Sequence, residues 1–435
     1  MRLENQRTVQ MKPLLILPFL FFVACSDDNS PQTEMDAGVD FSSPDIGQDA
    51  DVDQEPDAEA DQGEPLPDSP ETLDHLFRTG PQKVGYLEFS YSYDAPGQEE
   101  PREIPVKVWY PADPATGADP ARYAVGGIVN VPTDVALREP APSTEGPFPT
   151  VIYSHGSGGE GLLAYPYGEH LASWGWVVFA PNHVGNTALD GVQMSFAPFL
   201  ATTLHRVTDI RALLDTIEAG FESPVSGIAD LNNVVLFGHS FGGYTTLALG
   251  GADLDTDRLV ETCAGYGEDS CEFINQEEVQ TAFRAGLGDS RIDAIVPQAP
   301  ALIPLFAEGE IASIELPVML QSGRMDKTLP DEVHAIPAWE ALDGPDDIWV
   351  EMPLGGHFSF ISICTDLSED ILTLFRPDAP DDGCSEDFID SQLAVSNLTA
   401  YLHAFARLHV LQEVQWASLI EGDAFSEGFE ITLKE

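Results

Sequence analysis

Positive charge is scarce in this chain. Its 435 residues include 19 Lys and Arg against 73 Asp and Glu, which gives a formal net charge of −54. Nucleic acids and anionic membrane surfaces attract proteins through clustered cations. The composition therefore argues against nucleic acid and against a bare lipid surface as direct partners.

Cysteine is also sparse, and the motifs of metal and nucleotide sites are missing. The chain has five cysteines with no C-x-x-C pair, and its ten histidines include no H-E-x-x-H. Structural and hydrolytic zinc sites are typically built on such spacings. No Gly-Lys-Ser/Thr sequence is present for a phosphate loop. We expect no metal and no cofactor.

No apolar run is long enough to span a membrane. The longest, residues 14–23, is broken by Pro18 and is typical of a signal sequence. Residues 22–25 resemble a bacterial lipobox, in which Cys25 is acylated. The resemblance implies a lipoprotein signal peptide over residues 1–24 and anchoring in the bacterial cell envelope, periplasmic or outer-surface. An ordinary secretory signal and a start at Met11 are the alternatives.

An acidic segment follows. Between Asp27 and Asp74 the chain has 17 Asp or Glu and no Lys or Arg. Such a segment buries too little apolar surface to offset its ordering entropy, and its like charges extend it. We predict a disordered acidic tether over residues 25–75. Calcium binding is the weaker reading, because no D-x-[DN]-x-[DN]-G loop occurs.

Residues 76–435 are predicted to form one α/β domain. From about residue 148 onward, short apolar runs alternate with helical patterns, which favours a mostly parallel sheet with helices on both faces. Predicted strands are 84–93, 104–110, 149–154, 176–180, 233–238, 292–297, 317–321 and 348–352. Predicted helices lie near 161–173, 202–219, 242–250, 331–342 and 386–411.

Three parts of this domain fall outside the alternation. The first two strands are expected to form an antiparallel edge of the sheet. Segment 111–147 reads as a long Pro- and Gly-rich connection, and segment 253–290 as an insertion that forms a partial lid.

The most informative motif is a serine between glycines. Residues 238–242 read Gly-His-Ser-Phe-Gly, with a strand pattern before them and a helix pattern after. A serine on such a tight strand-to-helix turn is a nucleophile elbow. This predicts that Ser240 is a catalytic nucleophile; a Gly-rich turn capped by a serine is the alternative.

A base and an acid are expected downstream of the nucleophile. Asp326 follows the strand at 317–321, and His357 follows the strand at 348–352 in a Gly-rich loop. Because parallel strands end at the same edge of a sheet, both side chains are expected beside Ser240. The weaker candidates are Asp293, which precedes its strand, and His334, His403 and His409.

Acyl transfer also needs two N–H donors for the developing oxyanion. The backbone of Phe241, directly after the nucleophile, is one candidate. Loop 155–159 reads His-Gly-Ser-Gly-Gly after a strand, and its small residues suit a close backbone approach. The N–H of Ser157 is the second candidate.

These motifs together resemble the α/β-hydrolase superfamily. The elbow, loop 155–159, residues 180–187, Asp326 and residues 356–358 resemble the dienelactone hydrolase and platelet-activating-factor acetylhydrolase branch, over about residues 83–410. In that branch, the residues matching Ser157 and Phe241 supply the oxyanion hole. Dienelactone hydrolases use a cysteine, whereas this chain has Ser240, which favours general carboxylic ester hydrolysis.

We therefore expect a lipid-anchored serine hydrolase of small-molecule or lipid esters, acting as a monomer. The alternatives are an acetylhydrolase or phospholipase A2-like enzyme, a polyester hydrolase, and a non-catalytic binding protein on the same scaffold. His183, His205 and Tyr244 are weak candidates for the substrate pocket.

The four cysteines after Cys25 suit an oxidising compartment and allow three pairings. We favour Cys263 with Cys271 and Cys364 with Cys384, since each pair encloses a local loop. The second bridge would fasten the loop that follows His357.

Overall fold

A computed structural model of the chain describes residues 76–127, 129–420 and 428–434. The predicted signal peptide, the lipidation residue Cys25 and the acidic tether lie outside these residues. No helix in the described ranges has the length and apolar character needed to cross a membrane.

One sheet organises the described chain. Its strand order is β11-β10-β9-β8-β7-β5-β6-β2-β1-β4-β3. The strands are β1 Lys83–Tyr93, β2 Arg102–Ala112, β3 Pro120–Val125, β4 Val129–Arg138, β5 Phe148–Ser154, β6 Val177–Pro181, β7 Ala229–His239, β8 Ala294–Gln298, β9 Met319–Gly323, β10 Ile348–Met352 and β11 Glu430–Leu433.

The six strands β5 to β10 run parallel to one another. Three of them, β6, β8 and β9, are buried at every position, as expected for a parallel sheet covered on both sides. Antiparallel pairing occurs between β1 and β2, β2 and β6, β3 and β4, and β10 and β11. The predicted mostly parallel α/β architecture is confirmed.

Helices cover both faces of this sheet. They are α1 Tyr165–Ser173, α2 Ala188–Gln193, α3 Phe199–Ala219, α4 Phe241–Leu249, α5 Thr256–Thr262, α6 Glu268–Ile274, α7 Glu277–Arg284, α8 Ala335–Ala341, α9 Ile363–Asp366, α10 Glu369–Phe375, α11 Ser391–His409 and α12 Ala417–Ile420. Short 3-10 helices lie at Gly161–Ala164, Cys263–Tyr266, Ile303–Leu305, Ile311–Ser313, His357–Phe360, Ala379–Asp381 and Val414–Trp416.

Two apolar cores result, one on each face. Neighbouring residues of a strand point to opposite sides, and on β5 Val151 packs in the core that contains Leu402 of α11. Ile152 packs in the other core, which contains Leu247 of α4. The alternation along each strand thus divides the helices into two layers.

The structure corrects the prediction for the amino-terminal side of the sheet. Segment 111–147, predicted as a connection, contains the hairpin of β3 and β4. Strands β1 and β2 are antiparallel, as predicted. They do not form the edge of the sheet, because β4 pairs with β1 and β3 lies beyond β4. Pro120, Gly126 and Pro132 hid the hairpin, since these residue types are depleted in strands and prolines suit edge positions.

The sequence analysis missed one strand and assigned no helices to the predicted insertion, whose role as a partial lid stays a prediction. Strand β11 was not predicted, and it pairs antiparallel with β10 at the far edge. Segment 253–290 folds as the three short helices α5, α6 and α7.

Candidate active site

Ser240 occupies the turn between β7 and α4. Its backbone has φ 58° and ψ −115°, a region that residues with side chains rarely adopt and that stores local strain. Neighbouring backbone holds the turn: the Ser240 N–H donates to the Gln298 carbonyl at 2.8 Å, and the Ser240 carbonyl accepts from the Ala301 N–H at 3.0 Å. The side chain is thereby presented at the carboxyl edge of the sheet.

The glycines of the elbow allow the helix to pack against the sheet. A methyl group on Gly242 would overlap the Ser154 carbonyl oxygen, and one on Gly243 would lie 2.7 Å from the Pro300 Cα. Gly238 is equally confined, with the Gly242 carbonyl oxygen 2.6 Å from such a group. Glycine at all three positions is therefore a steric requirement.

His357 and Asp326 meet Ser240 at this edge. The Nε2 atom of His357 lies 3.1 Å from Ser240 Oγ, and its Nδ1 atom lies 2.7 Å from an Asp326 carboxylate oxygen. The other Asp326 oxygen accepts from the Leu329 N–H at 2.6 Å. Both Asp326 and His357 are buried. The three side chains have the geometry of a nucleophile, a base and an orienting acid.

Loop 155–159 lies directly against Ser240. A methyl group on Gly156 would be 3.2 Å from the Ser240 Cβ. Within the described ranges, neither the Ser157 N–H nor the Phe241 N–H has a hydrogen-bond acceptor. Both donors proposed from the sequence are thus left unpaired beside the serine.

A buried arginine that the sequence analysis missed holds this loop. Arg206, on α3, donates to the His155 carbonyl at 2.6 Å and to the Gly156 carbonyl at 3.3 Å. The His155 Nε2 atom accepts from the His183 N–H at 2.9 Å, so its Nδ1–H donates to the Gly156 carbonyl at 2.7 Å. Since the peptide is planar and trans, fixing the Gly156 carbonyl directs the Ser157 N–H to the opposite side.

Arg206 also contacts Phe241, whose N–H is the other proposed oxyanion donor. Its guanidinium lies 4.7 Å from the centre of the Phe241 ring. It binds the Asn186 side-chain oxygen at 2.7 Å, and the Asn186 amide donates to Ser157 Oγ at 3.0 Å. One side chain therefore links both sides of the proposed oxyanion site.

A second buried charge group lies behind the loop. Asp209 accepts two hydrogen bonds of 3.0 Å from Arg102 and one of 2.9 Å from His183. Burial alone would raise the pKa of Asp209, but the Arg102 charge and the His183 hydrogen bond outweigh it and lower that pKa. Burial, followed by the Arg206 charge, lowers the pKa of His183 to about 4, so this histidine is neutral near pH 7.

The three predicted pocket residues lie around this region. His183 belongs to the Asp209 group, and Tyr244 is fully buried with its hydroxyl donating to the Thr203 carbonyl at 3.2 Å. Both pack behind the site rather than opening to a ligand. His205 lies at 2.9 Å from the Pro96 carbonyl and contacts the Phe273 ring, in the wall of a surface cavity.

Three of the weaker sequence candidates, Asp293, His403 and His409, are placed elsewhere. Asp293 accepts from the Val234 N–H at 2.8 Å at the opposite edge of the sheet. His403 lies on α11 beside His170, 3.3 Å away. His409 ends α11. His334 directly precedes α8 and lies near the candidate site: its side chain is hydrogen-bonded to the Pro300 backbone, and the charges of Asp326 and His357 act on its pKa.

The cysteines form the two local disulfides that the sequence favoured. Cys263 is bonded to Cys271, between α5 and α6. Cys364 is bonded to Cys384, in the segment that follows His357.

Of the comparisons with known proteins, only the one with solved structures found similar proteins, and it bears on the fold alone. No protein-family model and no curated protein matches the sequence. Among solved structures, a ferulic acid esterase from Streptomyces cinnamoneus is similar, with 21% identity and a TM-score of 0.53, over 76% of this chain and 91% of that chain. In all, 714 solved chains match this structure. A likeness that is shared so widely, and that has only 21% identity, shows the α/β-hydrolase fold and assigns no substrate. It does not support the finer resemblance to the dienelactone hydrolase branch.

Proposed function

We propose that this protein is a serine hydrolase that cleaves carboxylic esters through an acyl-enzyme. The observation that carries the proposal is the hydrogen-bonded line from Asp326 through His357 to Ser240. In the part of the chain that the structure describes, the N–H groups of Ser157, on the loop beside Ser240, and of Phe241, directly after it, have no acceptor. A nucleophile, a base and oxyanion donors at one point suit acyl transfer.

In the first half of the reaction, His357 Nε2 takes the Ser240 proton while Oγ attacks the ester carbonyl carbon. The carbonyl oxygen becomes an oxyanion, which the Ser157 and Phe241 N–H groups hold. Asp326 keeps the His357 Nδ1–H in place and stabilises the imidazolium. The imidazolium then gives its proton to the leaving alkoxide, which departs as an alcohol.

In the second half, His357 takes a proton from water as the water oxygen attacks the acyl-enzyme carbonyl. The same two N–H groups hold the second oxyanion. Collapse of this intermediate breaks the bond to Ser240 Oγ, which regains its proton from His357. The products are a carboxylic acid and the restored enzyme.

The surface near the oxyanion loop supports an uncharged, apolar substrate. Asn186, which is bonded to Ser157, leads into α2, where Leu189 is 60% exposed and Val192 is 67% exposed. Met194, just after α2, is 88% exposed. Exposed apolar side chains in the segment next to the site favour apolar ligands, and the net charge of −54 repels anionic ones.

Several substrates fit this description. The structural neighbour, a ferulic acid esterase, adds esters of ferulic acid to the short-acyl lipids and polyesters suggested by the sequence. The acetylhydrolase-like reading and the lipid anchor at Cys25 in a bacterial envelope stay part of the proposal on sequence grounds alone.

The test is hydrolysis of p-nitrophenyl esters, from acetate to laurate, by the wild type and by Ser240→Ala. We expect turnover in the wild type and a loss of at least about 10³-fold in the variant, as for other triad removals. Ser92→Ala, an exposed serine on β1, is the matched control and should keep full activity.

A fluorophosphonate probe separates the catalytic and non-catalytic readings. Covalent labelling of Ser240 in the wild type would support an activated nucleophile. If neither labelling nor hydrolysis occurs in folded protein, the non-catalytic binding scaffold becomes the better reading.

A further inference from the structure

A carboxylate outside the Asp326–His357–Ser240 line joins the two loops that carry its acid and base. One Asp382 oxygen accepts from the Lys327 N–H at 2.9 Å and from the His357 N–H at 3.1 Å. The other accepts from the Thr328 N–H at 2.9 Å and from its hydroxyl at 2.7 Å. The same side chain thus binds the residues directly after Asp326 and the backbone of His357.

The segment around Asp382 is itself firmly held. Its carbonyl accepts from the Phe358 N–H at 2.9 Å. A methyl group on Gly356 would lie 2.5 Å from the Asp382 carbonyl carbon, so the two backbones are in close contact. The disulfide between Cys364 and Cys384 closes this segment two residues further on.

The bonding partners of Asp382 are unusual for a buried carboxylate. The residue is 3% exposed, and in the described part of the chain no Lys, Arg or His side chain forms an ion pair with it. Among the described residues, its carboxylate accepts four hydrogen bonds, three from backbone N–H groups and one from a hydroxyl. Hydrogen bonds to an ionised acceptor are about twice as strong as neutral ones, so this carboxylate stabilises one particular backbone arrangement.

We propose that Asp382 is a positioning residue for the esterase reaction: it fixes the Asp326 loop against the His357 loop. The inference rests on the proposed function. On one side of Asp326, the Met325 N–H already binds the Gly355 carbonyl at 2.9 Å. Asp382 supplies the link on the other side. With both links, the Asp326 carboxylate is held 2.7 Å from His357 Nδ1.

Displacement of a catalytic group by about 1 Å can lower a rate about 10²-fold. Asp382→Asn keeps the side-chain shape but replaces one acceptor oxygen by an NH₂ group, which cannot accept from the loop. We expect kcat to fall between about 10-fold and 10²-fold with KM within about twofold. The number of active sites, counted as the final stoichiometry of fluorophosphonate labelling, should stay at the wild-type value.

Asp347→Asn is the matched control. Asp347 is 2% exposed and accepts from the Gly344 N–H at 2.7 Å and the Val318 N–H at 3.1 Å, at the opposite ends of β9 and β10. Its replacement should lower the melting temperature and leave kcat unchanged. A variant of Asp382 that loses stability or labelled active sites, but keeps its rate per active site, would overturn the positioning role.

A measurement without turnover separates this inference from the proposed function. The proton shared by His357 Nδ1 and Asp326 should give a far-downfield proton NMR signal in the wild type. Asp382→Asn should shift or broaden it, whereas Asp347→Asn should preserve it. If the signal responds in this way but no ester is hydrolysed, the proposed function fails and the positioning role stands. An unchanged signal in Asp382→Asn refutes the positioning role.

The double variant Cys364→Ala with Cys384→Ala tests the anchor of the segment. It should lower kcat in the same direction as Asp382→Asn. When it is combined with Asp382→Asn, the total fold-loss in kcat should be smaller than the product of the two separate fold-losses, because both changes act on the same loop. Fully multiplicative effects would mean that the bridge does not act through Asp382.

Discussion

At the scale of single residues, buried polar side chains hold the loops of the candidate site. Arg206 binds the carbonyls of His155 and Gly156, and its guanidinium lies over the Phe241 ring. A planar guanidinium can satisfy several acceptors at fixed angles, whereas an ammonium acts as a point charge. The proposed oxyanion donors are therefore oriented by a residue behind them.

Arg206→Lys tests this orientation. The lysine ammonium cannot hold both carbonyls in the geometry of the guanidinium, so the Ser157 N–H is free to turn. We expect kcat to fall by about 10² to 10³, as for removal of one oxyanion donor, with little change in KM. Steady-state kinetics and melting temperature would be measured together.

Arg407→Lys is the control on the other face of the sheet, where the half-buried Arg407 binds Glu413 and lies over Trp416. It should lower stability and keep kcat. Equal kcat in Arg206→Lys and the wild type would show that the loop keeps its orientation without the guanidinium.

At the scale of elements, the elbow works because helix α4 packs tightly on the sheet. The strained Ser240 backbone is held by the Gln298 carbonyl and the Ala301 N–H of the segment that follows β8. A side chain on Gly242 would have to displace α4 from the carboxyl end of β5. The position of the Ser240 side chain therefore depends on the packing of helix α4 against strand β5.

Gly242→Ala should push helix α4 away from the carboxyl end of strand β5. We expect the free energy of unfolding to fall by about 1–3 kcal/mol or more, as for other overpacked sites, and ester hydrolysis to be lost. Urea unfolding and hydrolysis would be compared with Gly265→Ala, where an added methyl group meets no atom within 4 Å. Unchanged stability in Gly242→Ala would mean that the helix is free to shift.

At the scale of the whole molecule, many histidines are buried within an acidic protein. Burial lowers their pKa values, so the folded state resists protonation that the unfolded state accepts. Stability should therefore fall as the pH drops below about 6.5. Burial raises the pKa values of Asp331 and Asp347 to about 6. These two carboxyl groups oppose the loss of stability at low pH, because the folded state binds their protons more tightly than the unfolded state does. The histidines concerned are His155, His170, His183, His205, His239, His334 and His403.

His170→Gln isolates one histidine of this group. Burial lowers the pKa of His170 to about 4, so its folded-state value lies below the unfolded value of about 6.5. This difference removes about 2 kcal/mol of stability between pH 7.5 and pH 5.0. We expect the variant to lose less unfolding free energy than the wild type over this range, by about that amount. Parallel urea titrations at both pH values measure it; identical losses would contradict it.

The sequence determined the features that depend on local pattern. The alternation of apolar strands and helices predicted the parallel sheet, and the glycines around Ser240 predicted the elbow. Asp326 and His357 followed from the rule that parallel strands end at one edge, and the structure brings both to Ser240. Such features are visible because a strand's burial and a tight turn both constrain neighbouring residues.

Tertiary structure alone decided which distant groups meet. Arg206 binds His155 across 51 positions, and Asp382 binds Lys327 across 55. A buried polar side chain is satisfied by partners from other elements, so nothing in its own neighbourhood of the chain marks it. The hairpin of β3 and β4 was hidden for a related reason: its strands are stabilised by pairing with each other and with β1, which offsets the poor strand propensity of their prolines and glycines.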